Sequence, residues 1–267
     1  MVLDGRSSWP RLKNLIDISG SRKMEKDTIV IVPAHNEEMN IARVIEELKR
    51  DLPQADILIV NDHSGDNTLG VLRQTPDIVY LSLPFNLGYS NAIQTGFKYA
   101  FRHHYDYVIQ FDGDGQHIAS EAGRMLAEAR ASNADIVIGS RFKAATQYKH
   151  GFFRKIGTSL FAWLIRAICH QTITDPTSGL QVINRAVFGQ YEEMFGYPEY
   201  PDANLLIEML LRGYKIVEID VKMRQREFGV SMHSGVIGPS KYMVEMLYSI
   251  LLLLLRKNSF SAEKKRS

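Results

Sequence analysis

The stretch Val108-Ile109-Gln110-Phe111-Asp112-Gly113-Asp114-Gly115-Gln116-His117 joins a short apolar run to a turn that carries two carboxylates, an amide and an imidazole. The run is typical of a buried strand, and the glycines let the chain turn sharply after it. Asp112 and Asp114 would then stand at the carboxyl end of that strand, where ligands bind in open α/β sheets. Their oxygens, with Gln116 or His117 close behind, favour Mg²⁺ or Mn²⁺ over zinc. An ordinary Asp-Gly turn without a metal would have the same sequence, so the motif alone leaves both interpretations open.

Apolar runs on either side of this stretch alternate with segments of helical periodicity, which predicts an α/β fold. The predicted strands of the first half are Thr28–Val32, Ile57–Val60, Ile78–Leu83, the opening stretch and Ile136–Ile138. Pro33 closes the first of them, and Asn36 is predicted to cap the helix that follows. Because the strands lie far enough apart for crossover connections, we expect a mainly parallel, doubly wound sheet with helices on both faces.

The second half is less regular, and it is predicted from the same patterns. It contains helices at Phe152–His170 and Ala203–Leu211, strands at Leu180–Asn184 and Ile216–Met223, a polar loop at Arg224–Gly235 and an apolar helix at Lys241–Leu255. We therefore divide the chain into a loose extension (1–25), an α/β domain (26–235) and a C-terminal helix with a basic tail (236–267). Met24 is a candidate alternative start. No signal peptide is expected, because no apolar core follows the N-terminal charges.

Composition fits one globular domain with an appendage, since 45% of the 267 residues are hydrophobic and 23% are charged. The formal net charge of +2 is too small to suggest nucleic-acid binding. The single cysteine, Cys169, excludes an internal disulfide framework and fits a reducing compartment. It lies in an apolar helical stretch, so we expect a buried structural thiol.

Neither familiar nucleotide signature is present, because the sequence has no G-x-x-x-x-G-K-[ST] loop and no G-x-G-x-x-G after its first strand. A P-loop enzyme or a dinucleotide oxidoreductase is therefore not expected. Acidic residues follow the first two strands instead, namely Glu37, Glu38, Asp62 and Asp66. Such carboxylates suit ribose hydroxyls, a base edge or a divalent metal. Their structural alternatives are a first-turn helix position for Glu37 and turn or capping duty for Asp62 and Asp66.

These acidic motifs belong to a series that resembles family 2 glycosyltransferases with the GT-A fold, most of all the polyprenyl-phosphate sugar synthases of the dolichyl-phosphate mannose synthase type. The series consists of Pro33-Ala34-His35-Asn36-Glu37-Glu38, Asn61-Asp62-His63-Ser64-Gly65-Asp66, Asn86-Leu87-Gly88, Asp112-Gly113-Asp114-Gly115-Gln116-His117, Gly139-Ser140-Arg141, Thr174-Asp175-Pro176-Thr177-Ser178-Gly179 and Arg226-Glu227-Phe228-Gly229-Val230-Ser231. The resemblance covers about Thr28 to Ser231. Any one motif is weak, whereas seven in order are specific.

The resemblance implies roles for particular residues. The implied nucleotide-sugar contacts are Pro33, Ala34, Asn36, Glu37, Asp62, Asn86, Gly88, Asp112, Gly113 and Arg141, and the implied metal ligands are Asp112, Asp114 and Gln116. The implied catalytic residues are Asp175, Asp112 and Arg226, and the implied acceptor contacts are Arg154, Ser178, Arg226 and Ser231. A divalent ion, Mg²⁺ or Mn²⁺, would offset the charge that builds on the departing nucleoside diphosphate. His35 and His63 are interpreted as loop residues, and His117 as a candidate contact to the metal or diphosphate.

Two departures from the mannose synthase type fall on the acceptor side. Leu180-Gln181 stands where those relatives usually carry an arginine, and Ser231-Met232-His233 stands where they often have Ser-Lys-Leu. A sugar hydroxyl would need a general base, for which Asp175 is the candidate. A lipid monophosphate has a second pKa of about 6 and is already largely ionised at neutral pH. It needs cationic anchors instead, and the candidates are Arg141, Arg154 and Arg226.

The apolar segment Tyr242–Leu255 is the best candidate for membrane contact. It is too short, and Glu245 interrupts it, to span a bilayer that needs ~20 apolar residues. Basic residues flank it and fill the tail, at Lys241, Arg256, Lys257, Lys264, Lys265 and Arg266. This pattern favours a helix in the membrane interface, drawn to anionic lipid, or contact with a small membrane-protein partner. A helix packed on the domain or on a partner subunit is the alternative.

Our leading hypothesis is a metal-dependent, inverting glycosyltransferase at the cytoplasmic face of the membrane. It would move a hexose from a nucleotide diphosphate sugar to a polyprenyl phosphate, such as undecaprenyl or dolichyl phosphate. One alternative is transfer to a sugar hydroxyl in polysaccharide or glycolipid synthesis. A second alternative is a non-catalytic subunit that binds nucleotide sugars. No residue discriminates among donor sugars or between UDP and GDP.

Overall fold

A computed structural model of the chain describes residues 17–19, 26–142, 152–194, 197–225 and 237–263. Its strands are β1 (Asp17–Ser19), β2 (Thr28–Ala34), β3 (Ala55–Asn61), β4 (Val79–Ser82), β5 (Tyr107–Gln110), β6 (Ile136–Ser140), β7 (Gln181–Asn184) and β8 (Ile216–Asp220). Its helices are α1 (Ile41–Asp51), α2 (Thr68–Gln74), α3 (Tyr89–Arg102), α4 (Ala119–Ser132), α5 (Phe152–Cys169), α6 (Arg185–Glu193), α7 (Ala203–Arg212) and α8 (Ile237–Glu263). Strands and helices alternate through the first half, as predicted.

The described strands form one sheet in the order β1-β4-β3-β2-β5-β7-β6-β8. Strands β4, β3, β2 and β5 pair in parallel, and so do β6 and β8. Strand β7 is antiparallel to both of its neighbours, and β1 is antiparallel to β4 at one edge. The predicted mainly parallel sheet is therefore confirmed. Of the predicted N-terminal extension (1–25), the structure describes only Asp17–Ser19.

Helices cover both faces of the sheet, because its central strands are apolar on both sides. Ile29 and Ile31 of β2 pack with α3, α5, α6, α7 and α8, whereas Val30 and Val32 pack with α1, α2 and α4. Successive side chains of a strand point to opposite faces, so a continuous apolar run supplies two cores. The predicted helices on both faces are thus confirmed.

The start of α1 differs from the prediction. The helix begins at Ile41 with Asn40 at its N-cap position, so the prediction that Asn36 caps it is wrong. Asn36 adopts a left-handed backbone conformation (φ 57°), and its Oδ1 accepts a hydrogen bond from the backbone N–H of Gly65 at 2.7 Å. Its amide therefore joins two loops. The predicted apolar stripe of the helix is buried, at Ile41, Val44, Ile45 and Leu48.

In the second half, Gly213 ends α7 with φ 91°, as predicted. Helix α6 was not predicted, because Gly189 interrupts the short run of apolar residues at helical spacing. That glycine lets the helix approach α3, since a Cβ on it would lie 2.9 Å from the ring of Phe101.

Helix α8 is longer than predicted, and one of its faces reaches the core through Met246 and Ile250. No helix of the described residues combines the length and apolarity that a membrane crossing requires.

Parallel pairing decides where the polar motifs meet. Ala34 at the end of β2 pairs with Asn61 at the end of β3, and Ile31 pairs with Gln110 at the end of β5. The loops that follow these strands therefore leave from the same edge of the sheet. This edge carries the candidate site.

Candidate active site

Asp62 organises the loop that enters α3. The residue is buried after β3, where one carboxylate oxygen accepts a hydrogen bond from the backbone N–H of Leu87 at 2.7 Å and the other from that of Gly88 at 2.8 Å. Gly88 has φ 85°, a conformation that favours glycine. Asp62 was predicted to contact the nucleotide. The structure shows that it also holds Asn86-Leu87-Gly88 against the end of β3.

Hydrogen bonds join the loops after β2 and β3. The backbone N–H of Glu37 donates to Thr68 Oγ1 at 2.9 Å, and that of Glu38 donates to Asp66 Oδ2 at 3.1 Å. Although burial acts to raise the pKa of Asp66, hydrogen bonds from Thr68 and from Glu38 hold it below its usual value. Asp66 therefore has the capping duty that was its structural alternative. Pro33 and Ala34 are buried at the end of β2, and the exposed Asn36 lies at the mouth of the site.

Two side chains orient the carboxylate of Asp112. The hydroxyl of Tyr89 donates to Asp112 Oδ1 at 2.8 Å, and Gln110 Nε2 donates to the same hydroxyl oxygen at 3.0 Å. The backbone N–H of Asp112 donates to His117 Nδ1 at 3.1 Å, so the ring proton is on Nε2, which lies 3.5 Å from Asp112 Oδ2. The buried His117 therefore supports Asp112 with both ring nitrogens. The predicted direct contact of His117 with metal or diphosphate stays a prediction.

The turn that follows β5 carries Asp112, Asp114 and Gln116 and lies next to the end of β2. Gly113 packs closely there, since a Cβ on it would lie 3.0 Å from the carbonyl oxygen of Pro33. The backbone N–H of Gln116 donates to Asp114 Oδ1 at 3.0 Å, and Gly115 turns the chain with φ 77°.

The chemistry of these donors fits Mg²⁺ or Mn²⁺. In the described residues, no group of three or more His, Cys, Asp or Glu side chains is arranged to hold a metal. Asp112, Asp114 and Gln116 instead offer carboxylate and amide oxygens. That donor set fits ions that bind through one or two carboxylates and complete their shell with water and substrate phosphates.

Arg141 and Asp175 form a buried ion pair. Asp175 has no exposed surface, and its two carboxylate oxygens accept from Arg141 Nε and Nη2, each at 2.7 Å. The backbone N–H of Arg141 donates to the same carboxylate at 3.0 Å. The ion pair stabilises the ionised carboxylate and so makes Asp175 a weaker general base. Each side chain is engaged by the other, which gives both a structural role. The predicted catalytic role of Asp175 stays a prediction, as do the predicted roles of Arg141 at the nucleotide sugar and at an acceptor phosphate.

The predicted acceptor residues are placed differently from one another. Ser178 is buried, and its hydroxyl donates to the carbonyl oxygen of Gly139 at 2.6 Å, so it supports the turn after α5 rather than facing an acceptor. Arg154 lies in α5, and its side chain is outside the described part of the structure. Arg226 and Ser231 lie outside the described residues.

Asp202 is a further titratable residue that the sequence did not reveal. Burial raises its pKa to about 6, although a hydrogen bond from Tyr242 and the charge of Arg141 act to lower it. The charges of Asp175 and Asp112 also act to raise its pKa. An aspartate before a helix is typical of an N-cap. Here it makes no capping bond, and it accepts from the hydroxyl of Tyr242 at 2.9 Å.

Comparison with known proteins agrees with this arrangement. The sequence profile of glycosyl transferase family 2 matches residues 29–192, which is more than half of the chain. The protein therefore belongs to glycosyl transferase family 2. Its fold is GT-A: glucosyl-3-phosphoglycerate synthase from Mycobacterium tuberculosis superposes with a TM-score of 0.65 at 17% identity, over 85% of this chain and 80% of that one.

Two relatives and a second structure extend the comparison. The polyprenol monophosphomannose synthase of Mycolicibacterium smegmatis is 29% identical, over 78% of this chain and 81% of its own. The undecaprenyl-phosphate mannosyltransferase of Micrococcus luteus is 28% identical, over 79% and 89%. A mannosyltransferase from Pyrobaculum calidifontis, solved with GDP-Man and Mn²⁺, superposes with a TM-score of 0.62 at 15% identity, over 91% of this chain and 70% of that one.

The buried pair gives a test of its structural role. We expect Asp175→Ala to lower the free energy of unfolding by about 3 to 5 kcal/mol, because it leaves the Arg141 guanidinium buried without its partner. Urea unfolding followed by circular dichroism measures the loss. The matched control is Asp27→Ala, which removes the partner of Arg130 in an ion pair whose side chains are 42% and 47% exposed. That change should cost less than about 1 kcal/mol. Equal, small losses in both variants would contradict the structural role of Asp175.

Proposed function

We propose that this protein is an inverting hexosyltransferase that uses a nucleotide diphosphate sugar as donor and a polyprenyl phosphate as acceptor. The observation that carries the proposal is the Asp112–Asp114 turn at the carboxyl edge of the sheet, in a chain whose named relatives act on polyprenyl phosphates. A second observation supports a phosphate acceptor over a hydroxyl. The carboxylate predicted to serve as base, Asp175, is occupied by Arg141.

In this proposal the loops after β2, β3 and β4 bind the nucleoside, and the turn after β5 binds the diphosphate. Asp112, Asp114 and Gln116 would hold a divalent ion, which supplies charge neutralisation for the leaving diphosphate. Tyr89 and His117 keep Asp112 in one orientation. A carboxylate that is already oriented needs no reorganisation when charge develops during the reaction. An acceptor phosphate is already ionised and attacks the anomeric carbon without losing a proton to the protein.

The donor side is tested by Asp114→Ala with Asp106→Ala as its control. Asp106 is exposed just before β5, at the end of the strand opposite to the turn. We expect Asp114→Ala to lower kcat/KM at least about a hundredfold, which is the scale of losing one preorganised electrostatic contact, and Asp106→Ala to leave it unchanged.

The measurement is transfer of radiolabel from a panel of UDP- and GDP-hexoses to undecaprenyl phosphate. EDTA should abolish the transfer, and Mn²⁺ or Mg²⁺ should restore it. Full activity in EDTA would contradict the proposed metal requirement. Absence of lipid-linked product with every donor would contradict the proposed polyprenyl phosphate acceptor.

Transfer to a sugar hydroxyl is the second candidate function, and Asp202 favours it. A carboxyl with a pKa of about 6 that interacts electrostatically with Asp112 is suited to accept a proton near neutral pH. Asp202 would be protonated and inactive below pH 6 and ionised above it. A hydroxyl acceptor would make this group indispensable, whereas a phosphate acceptor would not.

Asp202→Asn separates the two candidates, because asparagine preserves an acceptor for the hydroxyl of Tyr242. If the acceptor is a phosphate, we expect the variant to keep its rate within about tenfold of wild type. It should also keep the rise of rate near pH 6, since the acceptor phosphate itself titrates there. A loss of about a hundredfold or more, together with loss of that rise, would favour a hydroxyl acceptor. The pH dependence of kcat/KM with saturating lipid checks both expectations.

Helix α8 supports a peripheral position at a membrane surface. Its core-facing side chains, Met246 and Ile250, are buried, which matches the alternative that the helix packs on the domain. Its other side is apolar and exposed at helical spacing, with Val244 68% and Leu255 74% exposed. The exposed stripe consists of Val244, Leu247, Tyr248, Leu251, Leu254 and Leu255. Arg256 and the basic tail beyond it match the charge of anionic lipid, so we assign this stripe to a bilayer surface.

Vesicle sedimentation tests the stripe. We expect Leu251→Glu to reduce binding to phosphatidylglycerol–phosphatidylcholine vesicles severalfold, because a carboxylate replaces an apolar contact with the bilayer. The matched control is Met39→Glu, which changes another exposed apolar residue, 65% exposed, on the loop before α1. Binding should be weaker to vesicles of phosphatidylcholine alone. Unchanged sedimentation of Leu251→Glu would contradict the membrane assignment.

A further inference from the structure

Glu47 makes contacts that neither its helix nor the donor motifs require. It lies on the buried side of α1, where a glutamate is costly unless it is paired. Its carboxylate accepts from Arg224 Nη1 at 2.6 Å and Nη2 at 3.1 Å, and from the backbone N–H of Ala119 at 3.0 Å. One carboxylate therefore ties α1 both to the first residue of α4 and to Arg224, which follows β8.

Arg224 in turn holds the turn after β5 through its backbone. Its N–H donates to the carbonyl oxygen of Gln116 at 2.8 Å, and Gln116 Nε2 lies 3.5 Å from its carbonyl oxygen. The backbone N–H of Gln116 donates to Asp114 Oδ1. A continuous chain of contacts thus runs from Glu47 through Arg224 and Gln116 to Asp114.

The donor turn is consequently anchored to Glu47 at two points. The end that leads into α4 is held at Ala119, and its middle is held through Arg224. The amide nitrogen of Gln116 faces the carbonyl oxygen of Arg224, which leaves the amide oxygen on the side away from that contact. Partners behind a ligand fix its geometry, and their loss typically weakens metal binding by about 10- to 100-fold.

We propose that Glu47 and Arg224 are a positioning pair that sets the Asp114–Gln116 turn for the diphosphate and its divalent ion. The inference rests on the proposed function, since it concerns the donor end of the same site. Neither residue contacts donor or acceptor. The pair acts through Gln116 and the start of α4.

Mn²⁺ binding measures this role without turnover. Free Mn²⁺ is titrated by electron paramagnetic resonance in the presence of UDP or GDP, with whichever nucleotide the donor panel selects. We expect Arg224→Met to weaken Mn²⁺ binding about tenfold, because methionine keeps an apolar stem and removes the guanidinium. Arg224→Lys should restore part of the affinity. The control is Arg124→Met, which removes an exposed guanidinium paired with Glu121 and leaves the donor turn untouched.

A double variant identifies the two residues as one unit. The double variant Glu47→Gln, Arg224→Met should bind Mn²⁺ no more weakly than Arg224→Met alone. Arg224→Met already removes the ion pair with Glu47, so Glu47→Gln has no further ion pair to remove. Unchanged Mn²⁺ affinity in folded Arg224→Met, with only a lower Tm, would show a purely structural role and overturn the inference. If Arg224→Met does not fold, Arg224→Lys decides: wild-type affinity would overturn the inference, and weakened affinity would support it. Asp114→Ala separates this inference from the proposed function. Unchanged Mn²⁺ affinity in Asp114→Ala would contradict the proposed metal site, whereas unchanged affinity in Arg224→Met alone would contradict only the positioning pair.

Discussion

The parallel pairing of β2, β3, β4 and β5 is the constraint on which the rest of the structure depends. Parallel strands end at the same edge, so every polar loop that follows them is delivered to one place. The strands can pair in this way only because both faces are apolar and are covered by helices. The position of the site therefore follows from the strand pairing. The loops that form the site must in addition be held in place at that edge.

Carboxylates hold those loops by accepting backbone N–H groups. Asp62 accepts from the turn before α3, Asp66 from the start of α2 and from the loop before α1, and Glu47 from the start of α4. Asp175 likewise accepts from Arg141, while Glu218 accepts from the backbone N–H of Asp175 at 2.7 Å. Each bond satisfies a donor that would otherwise be left without a partner at a buried loop. Several acidic residues of these motifs therefore hold loops in place, and the Asp112–Asp114 turn is the part of the site that we propose for the donor.

Helix α8 joins the domain through polar contacts as well as through its core-facing side. Tyr242 donates a hydrogen bond to Asp202 at 2.9 Å. Asn204 Nδ2 donates to Ser249 Oγ at 3.0 Å, which links α7 to the same helix. The helix that carries the exposed apolar stripe is thus joined to Asp202. In the function that we propose, a lipid acceptor at a membrane surface would meet the enzyme from this side.

Local sequence patterns determined the sheet, most helix bounds and the positions of the acidic turns, because periodicity and turn residues report burial and chain reversal directly. They missed α6, misplaced the cap of α1 and did not reveal Tyr89 or Asp202 as parts of the site. They also suggested a base at Asp175, whose partner Arg141 is 34 residues away, and gave no sign of the bond from Arg224 to Glu47 across 177 residues. Side-chain partners so distant in sequence depend on how the strands cross and pack. Only the tertiary structure decided which carboxylates are engaged in holding the fold.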